Sequence, residues 1–431
     1  MDTIRIGLLG CGTVGSGMVS ILDRAGDDIA ARAGARLAVT RIAVRDLERD
    51  RGPSIDPSIL TDDADSIVTD DDIDLVVEVM GGRERAGALI RTALRNGKPV
   101  VTANKQLIAH EGPDLLAIAA EAGVDLMYEA AVAGAIPIIR PLKESLAGDH
   151  IRRVIGILNG TTNYILTRMT EEGASYDDVL AEAQDLGYAE KPDPSADTGG
   201  HDAAAKTAIL ASLAFDSAVT DPQVHREGIE RVTATDIEVA RRLGYVIKLV
   251  GIASEVDGRI AVRVHPTFLP DTHPLASVRL AFNAVFVEAD GAGELMFYGP
   301  GAGGEPTGSA VLGDVVDVAR NLLNTVRGPI ESTHRAVEVR PMEDLTTQYY
   351  VLLDVDDRSG VLAAVAATFG DHDVSIAQVW QEGTGDRAQL VLITHRALES
   401  NLRACTEALA STDGVRAVAN VLRVESEARP T

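Results

Sequence analysis

The stretch Ile4-Arg-Ile-Gly-Leu-Leu-Gly-Cys-Gly-Thr-Val-Gly15 decides the fold. Ile4 to Leu9 reads as a short apolar strand running straight into a G-x-G-x-x-G turn. A helix is predicted from Ser16 to Ala31. This strand–glycine turn–helix context is what a dinucleotide-binding turn requires. Gly10 permits the tight turn, Gly12 lets the backbone approach a pyrophosphate, and Gly15 lets the helix pack on the strand. The helix N-terminus, with Thr13 and Val14, offers N–H donors to phosphates. The bland alternative is an ordinary glycine-rich turn between strand and helix.

The segments that follow repeat the same unit. A second strand, Arg36 to Val44, ends in Arg45-Asp46. At that strand end an Arg favours the 2′-phosphate of NADP, and an acidic residue favours the ribose of NAD. Arg45 comes first, so NADP is expected, and Asp46 keeps NAD open. Leu75 to Met80 reads as a buried parallel strand before Gly81-Gly82. Arg83 to Asn96 is a predicted helix and Pro99 to Thr102 the next strand, with Asn104-Lys105 at its carboxyl end. Ligands bind at that edge of an open α/β sheet, so topology puts Lys105 beside the cofactor. A surface lysine at a helix start is the alternative.

Lysine is rare here: 6 residues among 40 basic ones. Arg keeps its proton near neutral pH, whereas a buried Lys can be tuned to act as acid or base. Each lysine is therefore a candidate. Lys206 stands four residues after Asp202 in Gly-His-Asp-Ala-Ala-Ala-Lys, the start of an Ala-rich helix, so the two share one helical face. Asp197 and Glu190 bring two more carboxylates to the preceding loop, which suits a substrate carrying an α-ammonium. A solvated helix start rich in acids is the other reading. Upstream, Asn159-Gly-Thr-Thr-Asn-Tyr164 supplies good helix N-cap chemistry. It could equally present N–H and hydroxyl donors to a small substrate.

Taken in order, several long motifs resemble homoserine dehydrogenase over nearly the whole chain. They are G-L-L-G-C-G-T-V-G, T-A-N-K, E-A-A-V-A-G-A-I-P, N-G-T-T-N-Y, G-Y-A-E, D-x-x-G-x-D-A-A-A-K and P-G-A-G-G-E-P-T-G-S-A-V, the last from Pro300 to Val311. The resemblance implies NADP- or NAD-dependent reduction of L-aspartate 4-semialdehyde to L-homoserine. Lys206 then looks like the proton donor, Asp202 its partner, and Lys105 a second active-site lysine. Glu190, Asp197, Thr161 and Tyr188 look like substrate-binding residues. Glu129, Val132, Gly134 and Ile136 look like a loop for a monovalent cation such as sodium, mostly through backbone carbonyls. The family usually reads A-E-A-D-P where this chain reads A-E-K-P-D-P, and the extra residue makes Glu190 the least secure of these.

From Tyr349 to Glu425 the pattern is strand, helix, strand, strand, helix, strand, a ferredoxin-like βαββαβ order. With D-R-S-G-V-L and V-S-I-A-Q it resembles an ACT domain, which implies an amino-acid effector, threonine by expectation. A dimerisation module without a ligand is the alternative. The fold class is thus α/β: a Rossmann-type parallel sheet over residues 1–130, an α+β catalytic and dimerisation domain over 131–325, a linker over 326–346 and the ACT domain over 347–425. The segment at about 300–325 is expected to return onto the nucleotide domain.

Bulk composition sets the exclusions. A chain of 431 residues exceeds one ordinary core, and 45% hydrophobic content supports globular domains. The formal net charge of −25 argues against nucleic acid or an anionic membrane as partner. No apolar run reaches the roughly 18 residues that span a bilayer. Two cysteines, Cys11 and Cys405, form no metal spacing, and a reducing cytoplasm fits. Aspartate-semialdehyde dehydrogenase, a rival with the same substrate, needs a thiolate nucleophile, and neither cysteine suits. A catalytically inactive amino-acid-sensing homologue is the second rival, opposed by the Lys105, Asp202 and Lys206 set. A homodimer or homotetramer is expected.

Overall fold

Strands buried on both faces read as near-continuous apolar runs, and Leu75–Val77 and Val100–Val101 in the N-terminal sheet do so. The computed structural model describes residues 2–328, 337–383 and 386–425. Along the chain run β1 (Thr3–Leu9), α1 (Thr13–Ala33), β2 (Arg36–Ala43), β3 (Leu60–Thr61), α2 (Ala64–Thr69), β4 (Leu75–Glu78), α3 (Glu84–Arg95), β5 (Val100–Thr102), α4 (Lys105–Ala122) and β6 (Leu126–Met127). The six strands form a parallel sheet in the order β3-β2-β1-β4-β5-β6. The order reverses between β1 and β4, which opens the crevice where such sheets take ligands.

One expected strand is shorter than its apolar run. The run Leu75–Met80 stops at Glu78, because Met80 and Gly81 turn their N–H groups onto the Glu78 carboxylate. The last strand of the parallel sheet, β6, is short because Glu129 opens a 3₁₀ turn to Ala131 just after it.

The described residues fall into two compact units. The first takes the chain up to Leu158, Ala205–Val224 and the segment from Phe282 to Val337. Beside the parallel sheet it holds three antiparallel strands, Gly293–Pro300, Phe282–Ala289 and Ile151–Ile157. Its helix Gly304–Asn324 lies along α1. Backbone meets backbone there: a Cβ on Gly17 would fall 2.3 Å from the Gly304 carbonyl, and one on Gly308 would fall 2.6 Å from Met18 N. Behind that crossing, Val311, Val315 and Val318 join Ile6, Leu8, Met18 and Val77 in one core.

The second unit takes Asn159–Ala204, His225–Ala281 and the chain from Glu338. Strands Tyr245–Val256 and Arg259–Pro270 pair along their whole length. The C-terminal module has strands Thr346–Asp356, Ile376–Gly383, Arg387–Thr394 and Val415–Val424 with helices Val361–Asp371 and Glu399–Leu409, the βαββαβ order of an ACT domain. Its last strand also pairs in parallel with Arg259–Pro270, Thr267 opposite Arg423 and Phe268 opposite Val424. A fully buried Asp236 strengthens the join, accepting from Tyr350 Oη at 2.8 Å and Asn420 Nδ2 at 2.7 Å. Of the expected connection 326–346, residues 329–336 lie outside the described residues. Glu338 to Arg340 bonds to the main chain of Ile260.

Rarity did not make every lysine chemical. Lys98 is buried and donates to the carbonyls of Asp70 and Ile73 at 2.6 and 2.9 Å. Lys248 is buried and donates to Asn163 Oδ1 at 2.9 Å and the Val278 carbonyl at 2.6 Å. Burial pushes the Lys248 ammonium down to about 8. An unfolded Lys titrates near ~10.4, so between those values the unfolded chain binds more protons. Stability from this group therefore rises as pH rises through that window, and the cost of the buried charge is fully present below it. The thermal midpoint of the wild type minus that of Lys248→Met should grow between about pH 7.5 and 9.5. A constant difference in differential scanning calorimetry would sink this assignment.

Candidate active site

The nucleotide turn follows from dihedrals and from what its helix lacks. Gly10 has φ +96°, and a Cβ there would sit 2.8 Å from Met80 N and Cα. A Cβ on Gly15 would sit 2.5 Å from the Gly10 carbonyl, whereas one on Gly12 would meet nothing within 4 Å. The space in front of Gly12 is therefore open. Gly12 is the N-cap of α1 and brings no side-chain acceptor, so the first N–H groups, at Thr13 and Val14, stay available to an anion. This turn fits a pyrophosphate. Arg45 and Asp46 are exposed beyond the end of β2. Arg51, which the sequence reading passed over, donates to the carbonyls of Arg49 and Asp46 at 2.8 and 2.5 Å. Its charge also acts on the Cys11 thiol, so a second guanidinium stands near the turn.

Burial outweighs Arg51 at Cys11 and pushes the thiol up. Cys405 is pushed up to about 12 by burial. Neither is an activated thiolate.

At the start of α4, Asn104 caps the helix through Oδ1, which accepts from Leu107 N at 3.1 Å. Lys105 is the first helical residue. The neighbouring β4 ends in Glu78, fully buried, its carboxyl held up by burial against hydrogen bonds from Thr102, Met80 and Gly81. Sequence reasoning counted Glu78 only as part of an apolar strand. One acid in Leu-Val-Val-Glu-Val-Met was the signal that could have found it.

In the second unit Asn159 is the node. Its Oδ1 accepts from Thr162 N at 2.8 Å, which caps the helix Gly160–Glu172. Its Nδ2 donates to Asp197 Oδ1 at 2.7 Å and to Asp202 Oδ2 at 3.0 Å. Thr161 Oγ1 donates to the Tyr188 carbonyl at 2.7 Å and approaches Asp197 Oδ2 at 3.3 Å. The capping reading of the Asn-Gly-Thr-Thr motif holds, and the same amide also gathers two carboxylates. Asn159 was not singled out from sequence, because its partners are 38 and 43 residues away. Tyr188 is half exposed, its ring tilted against Tyr164 with centroids 4.9 Å apart. Glu190 is exposed, and its carbonyl accepts from Gln184 Nε2. The carboxylate of Glu190 is not part of the Asn159 array.

Asp202 and Lys206 stand one turn apart on the helix His201–Ala214, both buried. Lys206 Nζ donates to the Leu158 carbonyl at 2.6 Å. A short bond to a main-chain oxygen aims the Lys206 side chain.

The loop Glu129–Ile136 is buried almost throughout. Ala133 and Gly134 are both left-handed, at φ 57° and 60°, and a Cβ on Gly134 would fall 2.4 Å from the Gly301 carbonyl. The Glu129 carboxylate accepts from the N–H groups of Ile138, Ile139 and Arg140 at 2.5, 2.7 and 3.0 Å. With its side chain so held, the donors this loop offers a cation are carbonyls, which match the chemistry of a monovalent ion. Behind it, Asp314 accepts from Glu129 N at 2.8 Å, and burial with the Glu129 charge pushes its carboxyl up to about 7. Among the described residues no group of three or more His, Cys, Asp or Glu could hold a metal ion, and no helix is long and apolar enough to cross a membrane.

Known proteins share this arrangement. Residues 10–129 match the homoserine dehydrogenase NAD-binding domain, 137–316 the homoserine dehydrogenase family and 349–414 the ACT domain. The chain is 49% identical over 431 residues to a homoserine dehydrogenase of Corynebacterium glutamicum, covering 99% of this chain and 96% of that one. It is 50% identical over 433 residues to one of Mycobacterium tuberculosis, covering 98% of each. A crystal structure of a homoserine dehydrogenase from Thiobacillus denitrificans superposes with a TM-score of 0.94 at 41% identity, covering 99% of both chains. A hyperthermophilic archaeal homoserine dehydrogenase in complex with NADPH gives 0.61 at 28%, covering 73% of this chain and 97% of that one. With an NAD-binding domain, a catalytic domain and a C-terminal ACT domain matched in order, the chain belongs to the homoserine dehydrogenase family of oxidoreductases.

Proposed function

We propose that the chain interconverts L-aspartate 4-semialdehyde and L-homoserine with NADP, and that threonine restrains it through the ACT domain. The observation that carries the catalytic half is the Asn159 array, with Asp197 and Asp202 gathered by one amide. The bound nicotinamide supplies or accepts the hydride. Asp197 and Asp202 are the carboxylates that receive the α-ammonium of the substrate, and Thr161 and Tyr188 shape the same segment. Glu190 joins them as a substrate ligand if its exposed loop folds inward. Lys206 holds the proton that the developing alkoxide needs in reduction, aimed by the Leu158 carbonyl. Asp202, one helical turn away, keeps Lys206 charged. Lys105 adds positive potential at the cofactor side. In homoserine oxidation Lys206 has to accept that proton, so oxidation gains rate toward alkaline pH.

The glycine turn at Gly10, Gly12 and Gly15, with Thr13 and Val14, takes the pyrophosphate. Arg45, exposed at the end of β2, takes the 2′-phosphate, with Arg51 in reserve beside Cys11. That the archaeal relative carries NADPH supports this choice. Val132, Gly134 and Ile136 offer carbonyls, with that of Glu129, to a sodium-sized ion. The enzyme works in the cytoplasm as a homodimer or homotetramer, with nucleotide, catalytic and ACT domains at 1–130, 131–325 and 347–425.

The effector half has room to act. A cavity of about 830 Å³ within the second unit is bordered by Arg231, Glu230, Arg403, Glu407 and the ion pair of Arg423 with Glu227. Four glutamates, with Glu399 also paired to Arg423, and three arginines around it suit a zwitterion.

Replacing Lys206 by Ala should lower kcat for homoserine oxidation by roughly 10²–10⁴, with NADP affinity nearly unchanged by fluorescence titration. Unchanged turnover would remove Lys206 from the proton-donor role, and a wild type without turnover would return the chain to an inactive sensor. Arg45→Ala should raise the KM for NADP by roughly 10-fold and leave that for NAD alone. An equal change for both would dismiss the 2′-phosphate contact. Threonine at about 1–10 mM should slow oxidation and raise the melting temperature. If it does neither, the threonine reading should be dropped.

A further inference from the structure

β4 lies at the reversal of the parallel sheet and ends in Glu78, whose side chain is fully buried. Glu78 Oε1 accepts from Met80 N at 2.9 Å and Gly81 N at 3.1 Å. Its Oε2 accepts from Thr102 Oγ1 at 2.7 Å. Thr102 Oγ1 accepts in turn from Asn104 N at 3.0 Å, and Asn104 Nδ2 donates to the Gly82 carbonyl at 2.6 Å. The circuit is closed. One carboxylate ties the Gly81-Gly82 turn after β4 to the cap of α4 after β5, and the next residue is Lys105.

The turn held this way has a shape only glycine adopts readily. Gly81 and Gly82 lie at φ 71° and 77°, yet a Cβ on either would meet nothing within 4 Å. The left-handed backbone, and not crowding, requires glycine there. Such a turn facing open space has little packing to fix it, so its hydrogen bonds must. Met80, at its start, abuts Gly10 of the nucleotide turn.

An amide would not replace the acid. Glu78 receives N–H or O–H donors from Met80, Gly81, Thr102 and the Asn104 side chain, and none of these partners acts as an acceptor toward it. A Gln could still accept from Met80 and Gly81, but its NH₂ would face Thr102 Oγ1. That hydroxyl already accepts from Asn104, and its own proton would lose its acceptor. Burying a carboxylate is unfavourable, and no packing need calls for one at a strand end.

We propose that Glu78 is a positioning residue for the dehydrogenase reaction. It fixes the Gly81-Gly82 turn and the start of α4 as one rigid piece, so that Lys105 meets the nicotinamide end of the cofactor in reactive register. This rests on the reading of Lys105 as a cofactor-side residue.

The test compares the full-length wild type with Glu78→Gln and Thr102→Val. Amide hydrogen exchange would be followed at residues 79–83 and 103–107, with NADPH affinity by fluorescence and steady-state homoserine oxidation. In Glu78→Gln, exchange should quicken in both segments together. Its kcat should fall by roughly 10–100-fold, with the KM for homoserine within about 2-fold. Thr102→Val, which cuts only the arm to Asn104, should quicken exchange at 103–107 and lower kcat less. It carries the test should Glu78→Gln not fold. Exchange confined to 79–83, or a kcat within about 2-fold of wild type, would overturn the proposal. A wild type that binds NADPH but turns over no homoserine would instead overturn the functional reading, and the exchange data would still judge the circuit.

Discussion

Around the site residues, buried charge is answered by main-chain polar groups, and the local geometry depends on that. Glu129 collects three consecutive N–H groups, Glu78 two, and Lys206, Lys98 and Lys248 each point an ammonium at carbonyl oxygens. A main-chain partner cannot swing away as a side chain can, so it fixes a charged group with little further loss of entropy. The cost of removing the charge from water is offset only if the partners are in place before the group arrives. Helix starts, strand ends and left-handed turns provide them, because there the backbone leaves N–H and C=O groups unpaired. That is why the candidate residues gather at element ends.

The same constraint separates structural from chemical lysines. Lys98 and Lys248 point into carbonyls within packed interiors, as part of the fold. Lys206 shares its helix with Asp202, and Lys105 opens a helix at the ligand edge of the parallel sheet. Arg, with its permanent charge, serves elsewhere: Arg140 stands against Asp314 and Asp317, and Arg423 against Glu227 and Glu399. Its charge stays fixed whatever its acidic partners do.

In the C-terminal module the join is also made by backbone. The last strand leaves its own sheet order complete and still pairs with Arg259–Pro270, while Asp236 takes the Tyr350 hydroxyl. A module so attached within its unit has few soft degrees of freedom against the helix Ala234–Arg242. An effector bound beside that helix would have a stiff path to act through.

The parallel sheet, the glycine turn and the order of elements were legible in the sequence because they rest on local rules. Apolar runs of strand length, glycines at forced dihedrals and helix caps act within a few residues. The placement of Asp202 and Lys206 one turn apart on a helix was legible for the same reason, as a helical repeat of four. The length of β4 was not, since a side-chain acceptor ended a strand that its apolar pattern would have continued. Nor were Asn159 as the gatherer of Asp197 and Asp202, Glu78 as the tie between two turns, or the burial of Lys98 and Lys248. Each depends on a donor and an acceptor brought together from distant segments, and no periodicity along the chain encodes that meeting. Local rules along the chain therefore set which elements form and in what order. Which buried polar groups face one another is settled by the packing of whole elements, weighed against the cost of leaving any such group unpaired.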